Sequence, residues 1–106
     1  MINFFKKLFG APDCTKLQET IAAGAMLVDV RSTGEFAAGN IKGSVNIPLD
    51  RIGNEAKALK KDKPIIVFCR SGNRSMAAKA ILEKKGFRNI VDGGSIAIVN
   101  KLITTK

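Results

Sequence analysis

Pro64-Ile65-Ile66-Val67-Phe68-Cys69-Arg70-Ser71-Gly72-Asn73-Arg74-Ser75 is the stretch on which the fold turns. Its consecutive apolar residues, Ile65 to Phe68, read as a short strand buried on both faces, as inside a parallel sheet. The run stops at Cys69, polar or small residues come next, and a helical pattern begins at Ser75. Strand, tight loop and helix in that order place the thiol at the carboxyl end of a sheet, where open α/β folds put their ligands. Amides of the loop and of the first helical turn then point inward at one spot, a nest for negative charge. Arg70 and Arg74 add two fixed positive charges. A thiol in such a place has its thiolate stabilised and its pKa drawn below the usual ~8.5. The chain has no histidine, so a Cys–His pair is excluded and activation has to come from the loop itself. The other reading of Cys69 is a small buried core residue, as free cysteines often are. The arginines and the glycine so close behind it favour chemistry.

Outward from this stretch, the same alternation of strand and helix repeats. Thr15-Lys16-Leu17-Gln18 has the spacing of a capping box, with Leu17 and Ile21 on one face and Gly24 closing the helix. Met26 to Val30 reads as a buried strand. Ser32-Thr33-Gly34-Glu35 repeats the cap spacing and opens a short helix through Ala38, broken by Gly39 and Asn40. Ser44 to Ile47 is a brief strand stopped by Pro48, and Leu49, Ile52, Ala56 and Leu59 then recur at helical intervals. After the loop, Ser75 to Lys85 is expected to be a helix with Met76, Ala77, Ala80 and Ile81 on its apolar face and Gly86 at its end. Phe87 to Val91 is expected as the last strand, with Asp92-Gly93-Gly94 beyond its end and the tail from Ser95 as a closing helix. Such an order implies an α/β fold: one compact domain, its sheet mostly parallel, with helices on both faces.

The 106 residues suit a single domain able to bury about two thirds of its unfolded surface. Hydrophobic content of 45% and charged content of 25% are ordinary for a globular protein, whereas a net charge of +9 is not. Basic proteins attract nucleic acid, membrane surfaces or small anions. Here the lysines are spread along the chain, tryptophan and tyrosine are absent, and no nucleic-acid motif occurs. A solvated basic surface that draws in small anions is the simpler account, with no nucleic-acid partner. Two cysteines, Cys14 and Cys69, make neither a disulfide framework nor a metal site and suit a reducing, cytoplasmic setting. Residues 1–12 read as a tail whose Phe4, Phe5, Leu8 and Phe9 pack on the domain formed by 13–106. The tail's lysines interrupt its apolar run, unlike a signal peptide, and no stretch is long enough to insert stably in a membrane.

The ordered set of motifs resembles the rhodanese family. Asp29-Val30-Arg31, Glu35-Phe36 and Gly39 to Pro48 are similar to its amino-terminal signature. Val67 to Ser75 resembles its active loop, and Gly86-Phe87 with Val91-Asp92-Gly93-Gly94 its later landmarks. The likeness runs from about Leu17 to the end of the chain. It implies a single rhodanese-like domain with thiosulfate sulfurtransferase chemistry through a persulfide on Cys69, and no cofactor or metal. Arg70, Ser71, Gly72, Asn73, Arg74 and Ser75 are then the substrate-binding loop. Asp29 and Arg31 are read as a structural ion pair bracing the neighbouring strand end. The implied partners are a small anionic sulfur donor and a cyanide, thiol or protein sulfur acceptor.

Two other functions are open to the same residues. One is a persulfide carrier dedicated to a protein partner. The other is a phosphatase or arsenate reductase, whose loop in related folds has five residues between cysteine and arginine. Here four residues separate Cys69 from Arg74, a tighter ring suited to one sulfur atom rather than a tetrahedral oxyanion. A Walker-type loop is excluded by the missing glycine-lysine ending. The family often carries histidine at the position of Asn40 and tryptophan at that of Ile98; both differences read as surface and packing variation. Cys14, next to Asp13, reads as a bystander thiol.

Overall fold

The computed structural model describes residues 14–104; the tail assigned to residues 1–12 lies outside them. Helices and strands alternate: α1 Cys14–Ala22, β1 Met26–Asp29, α2 Thr33–Ala38, β2 Val45–Asn46, α3 Leu49–Glu55, β3 Ile65–Cys69, α4 Asn73–Lys84, β4 Ile90–Ser95 and α5 Ile96–Thr104. The four strands form one parallel sheet in the order β2-β1-β3-β4. Every residue of β3 is buried, which explains why it carries an unbroken apolar run.

Successive side chains of β3 serve opposite faces. Ile65, Val67 and Cys69 pack with Ile52, Ala56, Ala78 and Leu82 from the α3 and α4 side. Ile66 and Phe68 pack instead with Leu17 of α1 and Val99 of α5. Helices thus cover both faces, and the expected α/β architecture is the observed one.

Several boundaries differ from the sequence reading. Thr15 lies inside α1 rather than capping it. The helix at Leu49 ends at Glu55 and tightens into a 3-10 turn over Ala56–Ala58, so Leu59 packs beyond the helix. Helix α4 starts at Asn73, because Gly72 adopts a left-handed φ of 100° and turns the chain into the helix two residues early. Its inward residues are Ser75, Ala78 and Leu82, and Ile81 of the expected face packs half-buried on the same core, whereas Met76, Ala77 and Ala80 are exposed, Met76 at 58%. Small residues on that face let α4 lie close to the sheet, and hydrophobicity alone ranks them below Met76.

The last strand is displaced too. It begins at Ile90 and runs through Asp92-Gly93-Gly94 to Ser95, so the three residues expected beyond the strand are part of it. Val67 pairs with Asp92 and Phe68 with Gly94, so Gly93 is bulged out of register. A Cβ at Gly93 would sit 2.8 Å from Cγ2 of Val99 and 2.9 Å from Cγ2 of Ile66. The glycines therefore mark close packing and a bulge, not the end of the strand.

Candidate functional site

In an open parallel sheet the crevice forms where strand order reverses, at the carboxyl ends of the strands. Here the reversal falls between β1 and β3: the chain passes outward from β1 to β2, then returns to the far side for β3 and β4. Asp29 closes β1 and Cys69 closes β3 at that same end. An open cleft of about 510 Å³ is lined by Val30, Ser32, Leu49, Arg51 and Arg74 among others; of the loop and the first turn after it only Arg74 reaches its wall, and Cys69 does not.

Cys69 is free and fully buried, its side chain part of the α3–α4 core. The loop nevertheless closes on its sulfur: the Gly72 amide donates to Sγ at 3.0 Å. Burial pushes the thiol pKa up, the largest single influence. The amides of Ser75, Gly72 and Ser71, with the Ser75 hydroxyl, outweigh it and bring the thiol below its ordinary value. Core residue and activated thiol are therefore not alternatives for Cys69. It is packed from below by the sheet and solvated from above by peptide dipoles.

The loop residues are not alike. Arg70, Ser71 and Asn73 are exposed. Ser75 is fully buried at the first turn of α4; its hydroxyl donates to Asp92 Oδ1 at 2.7 Å, with the Gly72 carbonyl a second acceptor within reach at 3.0 Å. Arg74 grips Glu35 with both ends of its guanidinium, Nη1 to Oε1 at 2.6 Å and Nη2 to Oε2 at 3.0 Å. The Arg74 bond, then that of the Ser32 amide, holds the Glu35 carboxyl down at about 2 from its ordinary 4.5. Among the described residues no ion pair engages Arg70.

Asp29 and Arg31 form a buried pair under the cleft. Arg31 Nε lies 3.0 Å from both carboxylate oxygens, its Nη2 reaches Oδ2 at 2.7 Å, and its own amide donates to Oδ1 at 3.0 Å. The same Nη2 also donates to the Gly39 carbonyl at 2.7 Å, tying the end of α2 to the end of β1. Asn46 donates to the carbonyls of Asp29 and Arg31, each at 3.0 Å. None of these contacts reaches the sulfur; they fix the wall opposite the loop. Asn40 is exposed and bonds the Phe36 carbonyl, and Ile98 packs on the α1–α5 side of the core. Cys14 is exposed at the start of α1.

Three residues that sequence reasoning did not place at the site belong to it. Glu35 was visible as the cap of α2, yet its grip on Arg74 spans 39 positions and has no local signature. Asp92 reaches Ser75, and Asn46 reaches Asp29, across 17 positions, again beyond any helical or turn spacing.

The chain matches the rhodanese-like domain model over residues 13–101. It is 38% identical over 73 residues to the thiosulfate sulfurtransferase GlpE of Pseudomonas fluorescens, covering 67% of each chain. With the putative sulfurtransferase YtwF of Bacillus subtilis it shares 40% identity over 72 residues, 67% of this chain and 70% of the relative. It spans 63% of the length of another relative, the uncharacterised Bacillus subtilis protein YqhL, to which it is 37% identical. Among solved structures, a rhodanese-related protein from Thermoplasma volcanium superposes with a TM-score of 0.70 at 34% identity, covering 88% of this chain and 91% of that one. A rhodanese with anions from E. coli gives a TM-score of 0.66 at 28% identity, over 70% of this chain and 89% of that one. The matched region contains β1 to β4, the loop on Cys69 and the wall it faces: this protein belongs to the rhodanese family.

Proposed function

We propose that this protein is a thiosulfate sulfurtransferase that moves sulfane sulfur from thiosulfate, or a related anionic donor, to a thiophilic acceptor through a Cys69 persulfide. The observation that carries the reading is the Gly72 amide 3.0 Å from Sγ, in a loop whose dipoles draw the thiol pKa down. Family membership and relatives named as sulfurtransferases support it.

In the first step the Cys69 thiolate attacks the sulfane sulfur of thiosulfate. A sulfur–sulfur bond forms to Sγ as the one to the sulfonate breaks, and sulfite leaves with the bonding pair. The persulfide's outer sulfur, anionic near neutral pH, lies among the loop dipoles that had stabilised the thiolate. Arg70, in no ion pair among the described residues, meets the donor's charge, while Arg74, neutralised by Glu35, holds the loop closed. Cyanide or a thiolate then attacks the outer sulfur, giving thiocyanate or a new persulfide, and Cys69 is released as thiolate. No group has to change oxidation state apart from the sulfur atoms exchanged.

Intact mass of the wild type and of Cys69→Ser after thiosulfate, followed by cyanide turnover, tests this. The expected result is a gain of one sulfur atom and repeated thiocyanate release by the wild type only. Turnover retained by Cys69→Ser would remove the mechanism. Loading without turnover would make the domain a sulfur carrier, and faster hydrolysis of an aryl phosphate than sulfur transfer would make it a phosphatase.

A further inference from the structure

Beneath the loop, at the end of β4, lies a cluster that the transfer steps do not use. Asp92 turns a single carboxylate oxygen on two donors: Oδ1 accepts the Ser75 hydroxyl at 2.7 Å and the Gly94 amide at 2.9 Å. Ser75 opens the buried face of α4, and Gly94 lies just past the bulge of β4. The two segments are near neighbours as well: a Cβ added at Gly72 would come within 3.7 Å of Gly94 Cα. The link between the loop's helix and the bulge is therefore the shared oxygen beside Ser75.

We propose that Asp92 is a positioning residue for sulfur transfer: its Oδ1 pins Ser75 to the β4 bulge and so fixes the loop amides around Cys69. The proposal rests on the sulfurtransferase reading, with Asp92 acting through Ser75 and never touching the sulfur. Of the two acceptors near the Ser75 hydroxyl, Asp92 Oδ1 at 2.7 Å is closer than the Gly72 carbonyl at 3.0 Å, and it alone ties Ser75 to another strand, so its position governs where Ser75 stands. Ser75 is the residue whose amide most favours the Cys69 thiolate. A small shift of Ser75 therefore withdraws the strongest of the loop dipoles from the sulfur.

Because one atom makes both bonds, shape and charge separate cleanly. Asp92→Asn keeps an acceptor oxygen in place and loses the charge. Asp92→Glu keeps the charge and moves the oxygen by a methylene, and Asp92→Ala removes both. The charged groups around the thiol (Arg70 and Arg74 on the loop and α4, Glu35 on α2, and the Asp29–Arg31 pair at β1) are the same in all three variants. The measurements are the Cys69 thiol pKa, from thiolate absorbance against pH in a Cys14→Ser background, and the thiosulfate:cyanide rate.

The expected result is that Asn retains the lowered pKa and most of the rate. Glu and Ala should raise the pKa towards that of an ordinary thiol and slow transfer by about 100-fold, the cost of a misplacement near an ångström. Retention by Glu and loss by Asn would overturn the proposal in favour of a charge effect. Loss of rate with an unmoved pKa, or no change in any variant, would also overturn it. Should Asp92→Ala fail to fold, the Asn and Glu pair decides. A wild type without sulfur transfer but with the same pKa pattern would sink the sulfurtransferase reading and leave the seat of the loop standing.

Discussion

Arg74 commits both ends of its guanidinium to Glu35, while Arg70, next to the thiol in the chain, stands exposed with no ion pair among the described residues. Under the proposed function the donor's charge falls to Arg70. Arg70→Ala is expected to raise KM for thiosulfate on the order of five-fold, equivalent to about 1 kcal/mol for one exposed charge, with kcat little changed. An unchanged KM in steady-state assays would assign that charge elsewhere. The two cysteines give a second contrast. Cys14 is exposed and Cys69 is activated but buried. A bulky aromatic disulfide reagent should modify Cys14 first, whereas iodoacetamide at mildly acidic pH should favour Cys69, because reactivity needs both thiolate and access. Peptide mapping after each reagent reads the order; Cys69 labelled first by the bulky reagent would mean an open loop.

Helix α2 is short and buries no residue fully, so its ends carry it. Ser32 accepts the Glu35 amide at 3.2 Å while Glu35 accepts the Ser32 amide at 3.0 Å, a reciprocal cap legible in the sequence. The second use of Glu35, as the anchor of Arg74, was not legible, because a pair 39 residues apart depends on how two strands are ordered in the sheet. Depression of the Glu35 carboxyl from 4.5 to about 2 has a definite sign. The stabilisation is present in full above pH 4.5 and is lost as pH falls towards 2. Glu35→Gln should be less stable than the wild type at neutral pH, and the gap should close through that window. Urea midpoints across the acid range check it; a gap constant with pH would show that the ion pair contributes nothing. The apolar face of α4 was misread for a related reason. Ser75 faces inward onto Asp92 and Ala78 packs into the core beside β3, placements set by neighbours far along the chain and not by the helix itself.

Across the whole molecule, the layering was the legible part. An apolar β3 flanked by helices can only be an interior parallel strand, and the order of the elements came with it. The loop on Cys69 was readable for the same reason, being contiguous. The extent of β4 was not, since a glycine pair has the look of a turn until Val99 and Ile66 are seen pressing on Gly93. Gly93→Ala should therefore destabilise the fold by about 1–3 kcal/mol through overpacking between α5 and β3, measurable as a lowered denaturation midpoint. No loss would mean that the two side chains move aside freely.

The bulge has one more consequence, for behaviour in concentrated solution. β4 is an outer strand of the sheet, and outer strands can template pairing with another chain. An out-of-step residue at Gly93 bends that rim and interrupts the regular ladder a second molecule would need. The irregularity that supports the loop from below also guards the border against self-association.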